Sequence, residues 1–194
     1  MPLAGLTAWQ LLVDTAHAQA GQRVVINAAA GGVGHFAVQI AKHLGVHVTA
    51  IASKRHHAWL IDLGADDVVD YTALRFEDCI TDADIFVDLV GPGMDDTSLR
   101  AVQVLRPGGL LIIVPSLGLD PELTRAAAAR AVRTTNFVVE PDGAALTTIA
   151  HLIDNGDIHP ELAAVLPLDE VGRAHTLGET NRTRGKIVLS VMGK

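Results

Sequence analysis

Residues 27–36 read NAAAGGVGHF: a β-branched run, RVVIN, stops in small residues and glycines, and an apolar helical pattern begins at once. With its first position relaxed to Ala, the fingerprint G-x-G-x-x-G falls on Ala29, Gly31 and Gly34, and an overlapping A-x-x-G-x-x-G falls on Ala28, Gly31 and Gly34. A turn this bare, between a strand and a helix, lets a diphosphate lie against the backbone and meet the free N–H groups of the helix start. Ala29, Ala30, Gly31, Gly32, Val33 and Gly34 are therefore candidate cofactor-binding residues, with Gly31 admitting the diphosphate and Gly34 allowing close packing of helix on strand. No Lys-Ser or Lys-Thr follows, so a triphosphate loop is not indicated. The competing reading is a glycine turn with a structural role only.

About twenty residues further on, an Asp or Glu at the end of the second strand would hold the ribose hydroxyls of NAD. That place reads Ala52-Ser53-Lys54-Arg55-His56, and no carboxylate occurs between Asp14 and Asp62. A 2′-phosphate would meet Ser53 and the cations Lys54 and Arg55 there, which favours NADP (NADPH) as cofactor. The alternative is that these residues are the solvated start of a helix. Further candidates lie at the ends of later strands, at Val90 and Gly91 and at Val114, Pro115 and Ser116, and Tyr71 is a candidate beside the adenosine half.

The elements that must position these residues alternate along the chain. RVVIN is a strand (Arg23–Asn27), Gly32 to Leu44 a helix, VHVTAIA a strand, HHAWLIDLG a helix, and DDVVDY and DIFVDLV strands. SLRAVQVL then reads as helical and GGLLIIV as a strand. Such alternation marks an α/β fold, a mainly parallel sheet with helices on both faces. Gly45 and Gly64 fall just past helical runs, where a left-handed terminating residue belongs. Later come an Ala-rich helix near 121–133, an apolar strand NFVVE at 136–140, a helix near 142–154 and a tail ending in GKIVLSV. The strand at 136–140 falls late in the fold, where an edge invites pairing with a second copy; a homodimer through those residues is expected.

Composition excludes several classes. The 194 residues suit one domain, 49% are apolar, and no apolar run could span a bilayer. The net charge of −7 comes without a basic block, which argues against nucleic acid as a partner. No signal-peptide pattern opens the chain, so the cytoplasm is expected. The single cysteine, Cys79, excludes an internal disulfide, and the nine histidines have no cysteine or acidic set to complete a tetrahedral metal site.

PLAGLTAW, AAAGGVG, LGADDVVDYT, LRPGGLLIIV, FVVEPDG and RGKIVLSV, in that order, resemble the medium-chain dehydrogenase/reductase superfamily, in its quinone oxidoreductase branch. The resemblance implies a doubly wound Rossmann domain over residues 1–194, six strands in order 3-2-1-4-5-6, binding NADPH and passing hydride to quinones or activated enones and enals. It implies a GroES-like catalytic domain ahead of this one, and the chain begins where that domain would be ending; the catalytic residues are unknown and the chain alone is expected to be inactive. Residues 160–194 resemble the segment that returns toward the catalytic domain and its small-molecule substrate, and within it Asn181 and Arg184 to Lys186 resemble the part that returns to the cofactor cleft. Zinc-dependent relatives carry a cysteine ligand where this chain has Leu3, so a zinc-independent protein is expected. Two alternatives stay open: a non-catalytic NADPH-binding or interaction module, and the enoyl reductase domain of a polyketide or fatty acid synthase.

Overall fold

The computed structural model describes residues 2–91, 95–114, 118, 120–180 and 182–191. Strands β1 (Arg23–Asn27), β2 (His47–Ile51), β3 (Asp67–Val69), β4 (Ala83–Asp88), β5 (Leu105–Ile113) and β6 (Arg133–Asn136) form one sheet in order β3-β2-β1-β4-β5-β6. Every pairing in it is parallel. The expected doubly wound sheet is therefore present.

The central strands β2, β1, β4 and β5 are mainly apolar on both faces, and alternate residues feed two separate cores. Val24 and Ile26 of β1, Ile85 and Val87 of β4, and Ile112 of β5 pack against helices α1 (Pro2–Trp9), α2 (Gly34–His43) and α6 (Gly143–Asp154). Val25, Phe86, Leu111 and Ile113 point the other way, onto α4 (Thr97–Val104) and α5 (Pro121–Ala129). The short helix α3 (His57–Asp62) covers β3. Gly45 and Gly64 end their helices at φ of 73° and 107°, as their positions in the sequence suggested. No described helix is long and apolar enough to cross a membrane.

Three expectations are corrected. Helix α2 opens at Gly34, two residues later than expected, because the amide of Gly31 closes a turn onto the carbonyl of Ala28 (2.9 Å) before the helical ladder begins. The Ala-rich helix stops at Ala129, and Ala131 is left-handed (φ 55°), so the next strand starts at Arg133. NFVVE is not the strand: β6 is Arg133–Asn136, and only Asn136 belongs to both. Phe137 makes the last bond to β5, through Ile113 (3.0 Å). Glu140 then gives both its backbone groups to the side chain of Gln10, N–H to Oε1 and C=O from Nε2, each at 3.0 Å. Gln10 stands at the head of a π-helical stretch, Gln10–Thr15, that continues α1.

A second sheet was not read from the sequence. Strand β7 (Leu162–Pro167) pairs in parallel with β8 (Lys186–Ser190), and α7 (Val171–Glu179) connects them. This unit docks on α2. Gln39 accepts from the amide of His159 (2.7 Å) and donates to its carbonyl (3.2 Å), and the amide of Gly185 donates to the carbonyl of Ala30 (3.0 Å).

Candidate functional site

The carboxyl ends of β1, β2 and β4 border a cleft of about 840 Å³, within the size range of small-molecule sites. Its floor is the glycine turn, through Ala28, Gly31 and Gly32; Ile51 and Tyr71 form one side and Leu89 and Val90 another. The opposite wall comes from the docked C-terminal unit, through Thr183, Gly185, Lys186 and Ile187.

The turn itself is packed to the limit. Ala28, left-handed at φ 55°, turns its carbonyl toward the start of α2. A side-chain carbon at Gly31 would stand 3.1 Å from that oxygen, and one at Gly34 only 2.4 Å. Ala29 and Ala30 are buried beneath the turn, Val33 is half-buried, and none of these three lines the cleft. Gly32 is different, because a carbon there would meet the Cδ (2.7 Å) and Nζ (2.9 Å) of Lys186. The ammonium therefore lies over the glycine turn.

Asp88, at the end of β4, is fully buried and holds the floor together. Its Oδ1 accepts from the side chain of Asn27 (3.3 Å) and from the amides of Val90 and Gly91 (3.0 Å each), and its Oδ2 accepts from Ser98 (2.6 Å). A buried carboxylate so fully satisfied is a positioning group. It sets the loop that carries Val90, while Gly91 is buried and left-handed (φ 86°). Val114 is half-buried and continues β5 by donating to the carbonyl of Asp88 (3.1 Å). Pro115, Ser116 and Asn181 lie outside the described residues.

Ser53, Lys54 and Arg55 lie just past β2, with Ser53 half-buried ahead of a 3-10 turn and both cations exposed. None of the three lines the cleft. Arg55 donates to His56 Nε2 (2.9 Å) and to the carbonyl of Arg182 (3.1 Å), so this loop is joined to the C-terminal unit. Burial, with Arg55, Arg184 and His57 nearby, pushes the His56 imidazole below its usual pKa. The fold also brings in an acid absent from this window of sequence. Asp70, just past β3, accepts from Thr72 (3.0 Å from the amide, 2.7 Å from the hydroxyl), and these bonds, with the amide of Lys54 nearby, hold its carboxyl below its usual pKa.

Arg100 and Glu77 form the least exposed ion pair among the described residues. The guanidinium lies 4.5 Å above the ring of Phe76 and is bidentate to Glu77 (2.8 and 2.7 Å), with Asp95 as a further partner. Burial alone would raise the pKa of Glu77, but the hydrogen bonds from Arg100 and Arg75 outweigh it and hold the carboxyl at about 2. Among the described residues no group of three His, Cys, Asp or Glu side chains is placed to hold a metal ion.

A strand–glycine turn–helix unit at the carboxyl edge of a 3-2-1-4-5-6 sheet is the geometry of a dinucleotide site. Residues 63–189 match the family model described as zinc-binding dehydrogenase. The chain belongs to this family, within the medium-chain dehydrogenases/reductases. It is 31% identical over 219 residues to the mitochondrial NAD(P)H oxidoreductase RTN4IP1 of Danio rerio, covering 99% of this chain and 56% of that protein. It is 33% identical over 193 residues to the chloroplastic NADPH-dependent alkenal/one oxidoreductase of Arabidopsis thaliana, covering 97% and 45%. The quinone oxidoreductase of Coxiella burnetii superposes with a TM-score of 0.91 at 34% identity, covering 99% of this chain and 59% of that one. The chain thus spans about half the length of the curated relatives it matches.

Lys186 belongs to the segment that the family resemblance returns to the cofactor cleft; sequence reasoning missed Thr183, Asp88 and Arg100. A signal existed for Asp88: an acid closing the apolar run DIFVD. Nothing local marked Arg100 or Thr183.

Proposed function

We propose that this chain is the NADPH-binding portion of a zinc-independent oxidoreductase that transfers hydride to quinones or to activated enones and enals. The observation that carries the reading is the glycine turn, whose Gly34 no larger residue could replace without a clash, facing a cleft of dinucleotide size with a lysine ammonium over it. The residues fit the group. Gly31 and Gly32 present backbone to a diphosphate, the first turn of α2 supplies N–H groups without intrahelical acceptors, and Tyr71 and Ile51 flank the space for the adenosine half.

NADPH supplies the hydride when bound, from the C4 of its nicotinamide ring. This chain's residues bind and orient it: Asp88 fixes the loop carrying Val90, and Ser53, Lys54 and Arg55, in the loop just past β2, are the groups to receive a 2′-phosphate in this reading. Substrate, in this reading, is held against the cleft by a catalytic domain on its far side, because hydride transfer needs two walls and exclusion of water. No acid or base for the reaction is assigned to these residues. The quinone and enone substrates are supported by the printed activities of the relatives. The zinc-independent part rests on Leu3, an exposed leucine that cannot ligate a metal.

Calorimetric titration of the 194-residue chain with NADPH, followed by NADPH oxidation with 1,2-naphthoquinone, tests the proposal. Binding with negligible turnover is the expected outcome. Absence of binding would overturn the cofactor assignment, and brisk oxidation would overturn the two-wall account.

A further inference from the structure

The unit of β7, α7 and β8 walls one side of the cleft but takes no part in the apolar cores. Among the described residues, the last along the chain to join those cores is Ile158, ahead of β7. What holds the unit to the rest of the fold is mainly polar. Gln39 bonds both backbone groups of His159, the amide of Gly185 donates to Ala30, Arg55 donates to the carbonyl of Arg182, and the amide of Glu161 donates to Nε2 of His35 (3.3 Å). A segment held by hydrogen bonds with little apolar burial opens at low cost in free energy.

His35 is fully buried, and of the described side chains in these bonds it alone changes charge near neutral pH. Its Nδ1 lies 2.9 Å from the carbonyl of Gly31. An amide can only donate and a carbonyl can only accept, so Nε2 accepts, Nδ1 carries the proton, and the docked ring is neutral. A further proton would go to Nε2 and face the N–H of Glu161, which loses the bond and leaves a charge buried. The surroundings do not offset this. The Glu161 carboxylate favours a cation but is paired with Arg184, and the Lys186 ammonium of β8 opposes one. Helix α3 contributes the ring of Trp59, stacked 6.4 Å away, and α2 itself the neutral side chain of Gln39. Burial, with Lys186 added, outweighs Gly31 and Glu161 and holds the imidazole below its usual pKa.

We propose that His35 is a proton-operated latch on this wall: the neutral ring holds the β7–β8 unit against α2, and a proton on Nε2 releases the unit and opens the cleft. The latch acts on the wall whatever the cleft binds. Because the docked ring resists protonation more than a freed one, docking is complete above the ordinary value of 6.5 and weakens as pH falls below it. The loss reaches at most about tenfold per pH unit, until the docked pKa is passed.

The test is amide hydrogen exchange by NMR on the 194-residue chain, from about pH 7.5 to about pH 5, with a protection factor for each residue. Protection of Gly185, whose amide bonds Ala30 and not the imidazole, should fall below pH 6.5 by up to about tenfold per unit. That of Ala52, bonded to Val69 (3.0 Å) at the β2–β3 pairing, should hold steady. His35→Gln, whose amide can donate to Gly31 and accept from Glu161 but does not titrate, should stay within about threefold of wild type at the upper pH and remain flat below it. His159→Asn, which removes an exposed imidazole two residues before Glu161, should respond to pH as wild type does. The nitrogen shifts of the His35 ring should report the Nδ1–H tautomer and titrate in step with Gly185. Gly185 protection that ignores pH in wild type, falls equally in H35Q, or falls together with Ala52 would overturn the proposal, as would an Nε2–H tautomer. Should H35Q fail to fold, the ring titration and Gly185 protection of the wild-type chain decide the matter alone.

Discussion

A side-chain carbon on Gly34 would stand 2.4 Å from the carbonyl oxygen of Ala28 and 2.6 Å from that of Ala29, both of them backbone in a buried turn. Neither oxygen can retreat without breaking the link from β1 to α2. Gly34→Ala should therefore lower unfolding stability by roughly 1–3 kcal/mol, the usual cost of overpacking, seen as a fall in thermal midpoint. Gly32→Ala meets only the mobile end of Lys186, and its midpoint should stay close to wild type. Equal midpoints for the two variants would contradict this account of the turn.

Gly31 tests the cofactor rather than the fold. A carbon there sits 3.1 Å from the carbonyl of Ala28, tight but tolerable, and its branches in Gly31→Val would occupy the cleft floor. NADPH affinity should fall at least tenfold, about 1.4 kcal/mol. Calorimetry on variant protein shown to be folded by circular dichroism decides it; undiminished affinity would reduce the turn to a structural device.

Cofactor choice should lie in the loop after β2. If Ser53, Lys54 and Arg55 hold the 2′-phosphate, the chain should bind NADPH one to two orders of magnitude more tightly than NADH, roughly one exposed charge-assisted contact or two. Asp70, near the amide of Lys54, opposes part of that attraction. Lys54→Ala with Arg55→Ala should remove most of the preference and spare NADH, and Ser53→Asp should reverse it. A preference that survives loss of both cations would assign these residues to solvent.

Acid should destabilise the fold through Glu77. Its folded pKa of about 2 lies below the ordinary 4.5, so the ionised form is favoured in the native state. The stabilisation is complete above about pH 4.5 and is lost as pH falls through 2, up to roughly 3 kcal/mol in all. Glu77→Gln should flatten the denaturant midpoint over that window, and at neutral pH should cost stability by leaving Arg100 without its bidentate partner. A midpoint with the same acid limb in both proteins would refute the assignment.

Association is the remaining expectation. A homodimer through residues 136–140 now has to use the outer edge of β6 and the segment that follows, with Val138 (70% exposed) as its apolar anchor. Glu140 is less available, because Gln10 holds its backbone. Light scattering over a range of concentrations should show a dimer that Val138→Asp dissociates. A strictly monomeric chain at high concentration would sink the idea.

The sequence by itself determined the β-α-β frame, the glycine turn and the helix ends at Gly45 and Gly64. These are local properties: periodicity, a missing Cβ, or a left-handed residue acts within a few positions of itself. Residues 136–140 were misread for the complementary reason. An apolar run states that a segment is partly buried, but whether it pairs as a strand depends on a neighbour, and the β5 partner runs out at Ile113. The same holds for β7, whose half-exposed LAAVLP has no strong pattern of its own and is fixed by its register with β8. Only the tertiary structure brought Lys186 over Gly32 and Arg182 to Arg55. Each joins segments distant along the chain, and their meeting is set by how Gln39 and His35 dock the C-terminal unit on α2, a condition that no stretch of sequence carries alone.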